Sequence, residues 1–509
     1  MRAGMVPGAG MPGPVASPVG DRHAACVTAS TAPLPIRTGS PRRPVVMVVA
    51  RNAGPLAERL TAVPADAWAR WMGGAVAPGS HRPLVIAVAA IPLPEVEAAI
   101  VLVASEHAGG LHGYRQIVVA AGGTDPARAP SAHGVDADHG VMAGLDHPAV
   151  RRWLHQALSA GVGLRAGAWE WRAAPEVRGT RALGADPGTL ERHDAATVVR
   201  TPGSTLALSL RTDPDAGIEL EILRRLAGGD GAHLAPRPLA TARWIGPDGL
   251  RLPSLLVHDL PAAARPVGER LRQRVADALA GDESAFAAAV ADAHALGRIA
   301  RELHAALGRP PAEGFGGAAI PAGRRDVEAW ALEARDALDA LHREAQGAAH
   351  DAQPAIVALR DHLHAIVAAA GRDPGLVHRI HGAFGADAVH VLPDGALRVT
   401  GFVPPPTIGS PSPWHDVASL LASLTRLAGE AAVAAGDGRE SRDAAWRWER
   451  EARRAALDGY GTGGGAGHAL VALFEIPLAA RGMCASLRDD PARAWIGAHA
   501  VTRLAHVAT

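Results

Sequence analysis

The chain contains no lysine: its 51 basic residues are all arginine, set against 51 acidic ones. Any mechanism that needs a catalytic lysine from within this chain is thereby excluded. Asparagine occurs once, as Asn52. The only cysteines, Cys26 and Cys484, rule out a disulfide framework and a thiolate zinc cluster. A formal net charge of zero offers no bulk attraction for nucleic acid. No run reaches the roughly 18 consecutive apolar residues of a membrane helix. At the N-terminus, Gly4, Pro7, Gly8, Gly10, Pro12 and Gly13 interrupt any apolar stretch, so no secretory signal is expected. These absences lead to the expectation of a cytoplasmic protein with neither membrane nor nucleic acid as partner.

With 509 residues, 48% of them hydrophobic, the chain is long enough for about two to four packed units. Residues 1–45 are rich in Pro, Gly, Ala and Ser and read as a disordered tail or an over-called start, dispensable for stability. A helix is expected over 55–72. Apolar runs predict strands at 84–91, 97–105 and 114–121, and the loop 122–140 carries His133, Asp136, Asp138 and His139, read as solvated. Pro148 opens a helix whose stripe is Val150, Trp153, Leu154, Ala157 and Leu158, and a strand follows at 167–173. Strands at 197–200 and 206–211, a helix at 216–227 and strands near 238–246 and 253–259 come next. Beyond Pro266 the spacing is helical, over 266–280, 284–307, 325–347 and 353–370. Residues 376–403 break the pattern as loop and short strands, and helices resume at 415–434, 440–458, 468–487 and 491–507. The order, strands first and helices later, predicts an α+β protein. Gly459-x-Gly461-x-x-Gly464 matches a dinucleotide fingerprint only formally, because no strand precedes it. Cys484, Trp330, Trp446 and Trp448 fall at helical positions and read as packing residues.

One stretch is more specific. Val377-His378-Arg379-Ile380-His381-Gly382-Ala383-Phe384 is followed by Leu397-Arg398-Val399-Thr400-Gly401-Phe402 and then by Pro413-Trp414-His415-Asp416-Val417-Ala418. In that order these segments resemble the maltokinase family, within the aminoglycoside-phosphotransferase-like kinases. Arg70-Trp71-Met72-Gly73-Gly74, Arg181-Ala182-Leu183-Gly184, Glu302-Leu303-His304 and Trp495 are similar to further family segments, so the resemblance covers about residues 55–507. It implies an N-terminal cap domain followed by a two-lobed protein-kinase-like fold: a cap over 46–178, a β-rich nucleotide lobe over 179–262 and a helical lobe over 263–509.

The same resemblance implies where the chemistry belongs. A strand lysine holds the nucleotide phosphates, a carboxylate accepts the sugar proton, and an amide and a second carboxylate hold magnesium. Carried over one at a time, the lysine falls on Ser209, the helix glutamate that pairs with it on Glu221, the base on Ala383, and the metal ligands on Ala388 and Gly401. Arg379, His381, Gly382 and Asp416 are retained and are expected to shape the loop. The carboxylate available as a substitute base is Asp387, four residues past the lost one; Arg211 and Glu221 are the candidate nucleotide contacts, and Trp414 the candidate sugar platform. Two readings stand open. One is a pseudokinase of maltose, trehalose and glycogen metabolism with a binding or regulatory role, needing no cofactor and partnered by trehalose synthase, an α-glucan enzyme or a maltose-like sugar. The other is an active sugar kinase with a rewired site, using Mg and ATP to make maltose 1-phosphate.

Overall fold

The computed structural model describes residue 60 and most of residues 82–507, short connecting segments excepted. The expected tail 1–45, all but residue 60 of the expected helix 55–72, the His133–His139 loop and Arg211 lie outside the described residues. The apolar runs form a four-stranded antiparallel sheet in the order β1 (Arg82–Ile91), β2 (Ala98–His107), β3 (Gly110–Ala121) and β4 (Val141–Ala143). The central strand β2 is apolar on both faces because both are covered. Ile100 and Leu102 point into one core, while Val101 and Val103 pack in another that includes Leu60.

Helix α1 (Pro148–Ala160) starts as expected at His147, whose Nδ1 accepts the Ala149 N–H, and ends at Gly161 in the left-handed conformation. A seven-stranded sheet follows, in the order β5 (Gly163–Ala166), β6 (Trp169–Pro175), β10 (Pro238–Ile245), β11 (Arg251–His258), β9 (Ser204–Ser209), β8 (Ala196–Thr201) and β7 (Thr189–Arg192). Helix α2 (Ile218–Ala227) is inserted between β9 and β10. Strand pairing runs across residue 178, where a domain boundary is expected from the sequence. β6, which precedes it, pairs with β10, which follows it, from Ala240↔Pro175 to Ile245↔Glu170. The two sheets also share one core, in which Trp171 and Trp244 meet Ile100, Leu102 and Val118. Gln116 of β3 is fully buried there. Its Oε1 accepts from Trp244 Nε1 at 3.1 Å and from the Ser254 hydroxyl at 2.7 Å, and that hydroxyl accepts from Trp171 Nε1 at 2.8 Å.

Past residue 266 the chain is helical: α3 (Val267–Leu279), α4 (Glu283–Gly308), α5 (Arg324–Ala345), α6 (Gln353–Ala370), α7 (Pro413–Ala434), α8 (Arg439–Tyr460), α9 (Gly465–Asp489) and α10 (Ala494–Val507). Short strands β12 (Arg265–Pro266), β15 (Val389–Val391) and β16 (Leu397–Val399) form a three-stranded sheet; β13 (Ile320–Pro321) pairs with β14 (Leu376–Val377). α4 and α8 approach so closely that a Cβ on Gly297 would lie 1.9 Å from Ala456 O, so that crossing requires glycine. α7 and α9 contain windows of mean hydropathy 1.3 and 1.5, long enough to cross a membrane, yet 61% of each window is buried among the other helices. They are core helices of this fold. Trp330 and Trp448 are buried, as their spacing suggests, and Gly461 is the left-handed cap that ends α8.

Candidate functional site

The loop between β14 and β15 is fixed by α7. Ser412 caps that helix and Pro413 opens it, which places Asp416 in the first turn with no solvent exposure. Asp416 Oδ2 accepts the His381 N–H at 2.7 Å and Oδ1 accepts the Gly382 N–H at 2.8 Å. His304 of α4 holds Oδ2 at 3.0 Å through Nε2, while its Nδ1 meets the Tyr460 hydroxyl at 2.9 Å. Burial alone would raise the Asp416 pKa, but the hydrogen bonds and nearby histidines hold it well below the usual carboxylate range. His381 Nδ1 accepts the Ala383 N–H at 3.2 Å, so Nε2 carries the proton that it donates to Thr400 O at 2.8 Å. Burial keeps this histidine neutral by lowering its pKa. Gly382 sits at φ +93°, and a Cβ there would lie 2.0 Å from Val403 O, so only glycine lets the two chain segments cross.

Below this loop is a cavity of about 1220 Å³. Ala383, Ala388 and Gly401, where the sequence resemblance would set the base and the metal ligands, all line it, and at Gly401 the space a Cβ would occupy is open. Opposite them lie one face of α7, with His415, Ser419, Ser423 and Arg426, and the small residues of α9 and α10. Asp387 also lines the cavity, but both its oxygens are held by Arg272 Nη2, each at 3.0 Å, and Oδ2 by Arg426 Nη2 at 3.2 Å. The two arginines bind Glu430 as well, at 3.5 and 2.7 Å, which closes a four-residue ion network. Both oxygens of the Asp387 carboxylate are therefore occupied by arginine donors.

Glu221 is paired with Arg379 of the loop, 3.4 Å away. The backbone of Ser209 pairs with Ala196 at the end of β9. Trp414, the expected platform, is not among the residues that line this cavity. Its ring lies against Tyr460 at 5.4 Å, and Gly375 and Gly467 leave just enough room for it. Two cavity residues were not singled out in the sequence. Glu219, two residues before Glu221, accepts the Gly401 N–H at 3.0 Å; removal from bulk water pushes its pKa up to about 7, against the pull of the Gly401 and Phe402 N–H groups. His415 is 2% exposed, its Nδ1 is 4.0 Å from Asp416 Oδ1, and neither ring nitrogen has a hydrogen-bond partner. Its adjacency to Asp416 was the available signal. Among the described residues no group of three or more His, Cys, Asp or Glu side chains is placed to hold a metal ion.

Neither a protein-family model nor a curated protein matches the sequence. Solved structures do. Glucosamine kinase in its crystal form A aligns with a TM-score of 0.56 and 18% identity over 89% of this chain and 99% of that one. Glucosamine kinase in complex with glucosamine, ADP and inorganic phosphate gives the same TM-score and identity over 88% and 98%. A choline/ethanolamine kinase family protein from Mesorhizobium loti aligns at only 0.32, with 15% identity over 62% and 93%. The fold is therefore that of a kinase-like phosphotransferase, and at 18% identity the likeness reaches no further than the fold.

Proposed function

We propose that this chain is a maltokinase-like pseudokinase: a kinase-fold protein that binds a small molecule beneath its loop and does not phosphorylate it. The observation that carries this reading is the cavity wall itself. At the positions to which the sequence resemblance assigns a base and two metal ligands, it presents the methyl groups of Ala383 and Ala388 and the bare backbone of Gly401. The chain has no lysine to hold nucleotide phosphates. The retained residues, Asp416, His381, Gly382 and Arg379, hold the loop in shape without supplying the missing charges. Maltose, trehalose or glycogen metabolism is the setting that the sequence resemblance offers, with trehalose synthase or an α-glucan enzyme as the partner.

A rewired kinase is the second reading, and Glu219 favours it more than Asp387 does. Glu219 sits at the backbone of the lost metal-binding position, lines the cavity and has no arginine partner among the contacts described. A coupled ADP-release assay with ATP, magnesium and either maltose or glucosamine separates the two. Under the pseudokinase reading no sugar-dependent turnover is observed. Turnover near the roughly one per second of ordinary kinases, lost in Glu219→Gln, would establish the second.

A further inference from the structure

Many arginines of the helices are matched with carboxylates, one turn away in Arg298–Glu302 and Arg324–Glu328, or across helices in Arg270–Asp292. One face of the seven-stranded sheet departs from this pattern. Register places Gly163, Arg172, Arg243 and Pro253 side by side on β5, β6, β10 and β11. Two residues along the same strands, and so on the same face, stand Arg165, Glu170, Ile245 and Arg251. The opposite face carries Trp171, Trp244 and Leu252 into the core. The Glu170 side chain leans over its neighbour strand, since a Cβ on Gly163 would lie 3.0 Å from its Oε1. Arg165, Arg172 and Arg251 are exposed, and Arg243 is partly so. Glu170 Oε1 accepts from Arg172 Nε at 2.9 Å, whereas the side chains of Arg165, Arg243 and Arg251 have no ion-pair or hydrogen-bond partner among the described residues. Four arginines against one glutamate leave three net positive charges on this facet, in a chain whose total is zero.

This arrangement costs stability. Arg172 and Arg243 are directly opposed across the β6–β10 pair, with Cβ atoms about 5 Å apart, and like charges so placed repel. Only Glu170 relieves them within the facet, so the charge is placed for an anion from outside the chain. The facet's own residues include no aromatic side chain, which leaves the bases of a single-stranded nucleic acid nothing to stack on. Nor are the arginines gathered at one point, as a lone phosphate would require. They stand on four successive strands, and from β5 to β11 is three strand spacings, about 14 Å. An extended peptide of about five residues spans that distance. Each carboxylate along it can accept two parallel N–H bonds from a guanidinium.

We propose that this facet docks an acidic segment of a protein partner, laid across β5, β6, β10 and β11 with its carboxylates on Arg165, Arg172, Arg243 and Arg251. Docking there does not depend on whether the cavity transfers phosphate. The test is fluorescence anisotropy of the full chain with a labelled oligoglutamate peptide, run beside a labelled single-stranded oligothymidylate of equal length. Oligoglutamate should bind at about 50 mM salt and lose about tenfold in affinity by about 0.5 M, as the Debye length shortens. Arg243→Gln combined with Arg251→Gln should weaken it about tenfold or more, through the loss of two charge-assisted contacts. Arg325→Gln combined with Arg372→Gln removes the same charge from exposed positions outside the facet and should leave binding within about twofold. Because Arg243 opposes Arg172, Arg243→Gln alone should not lower the melting temperature. A fall of several degrees would show that the fold itself needs Arg243 and would overturn the proposal. So would an absence of oligoglutamate binding, tighter binding of oligothymidylate, or equal losses in the two double variants, which would mark attraction by bulk charge alone.

Discussion

Asp416 accepts three hydrogen bonds without solvent contact, two from the loop backbone and one from His304, so its replacement tests how the loop is held. Asn keeps the shape but turns an NH2 toward a backbone N–H. Asp416→Asn should lower the unfolding free energy by about 3 kcal/mol, read by urea denaturation. The histidines around it predict a pH response. Burial lowers the His378 pKa to about 4, against the hydrogen bond to Arg379 O, and lowers His381 in the same direction. Both are neutral when folded and take up protons when unfolded. Their contribution is therefore complete above about pH 6.5 and is lost as pH falls toward 4, by roughly 3 kcal/mol for His378. Urea midpoints measured from pH 8 to 4.5 should be flat and then fall, and His378→Gln should flatten part of the decline. At this scale the sequence offered only the resemblance's assignment of retained and lost positions, made letter by letter. The state of Asp387 was hidden, because its partners Arg272 and Arg426 lie 115 and 39 residues away.

Helices were legible from spacing: α2 through α10 lie within a few residues of their expected ranges, because each buries one apolar stripe. What the stripes conceal is the polar residues placed among them. Glu475, in the middle of apolar α9, is 1% exposed and is held by Arg453 of α8 at 2.7 Å and by Arg503 of α10 at 2.5 Å. Those two cations draw its pKa down to about 2 despite burial. The three helices are joined by this charge cluster as well as by apolar contact. Glu475→Gln would leave two arginines short of a counter-charge and should destabilise by about 3–5 kcal/mol, measured by chemical denaturation. The link from α2 to the loop is of another kind. Glu221 and Arg379 are both partly exposed, and Glu221→Ala should cost less than about 1 kcal/mol.

At the scale of the whole molecule, the sequence showed where strands lie but not which strand pairs with which. A boundary placed at residue 178 follows from reading the chain in segments, because the pairing of β6 with β10 spans more than sixty positions that carry no local mark of it. The structure makes the consequence testable. A fragment beginning at residue 179 would expose the edge of β10, uncover Trp244 and leave the Ser254 hydroxyl without Gln116 and Trp171. Unpaired edge strands and bared apolar cores lead to aggregation. The 179–509 fragment should therefore be insoluble or lack a cooperative thermal transition, whereas the full chain should melt cooperatively. Trp171→Ala in the full chain isolates the sheet junction itself. The side chain is 0% exposed and packs 6.0 Å from Trp153 of α1, so its loss should cost about 3–5 kcal/mol. A soluble fragment with a cooperative melt, together with a tryptophan variant of full stability, would show that the strands on either side of residue 178 fold independently and that their pairing is incidental.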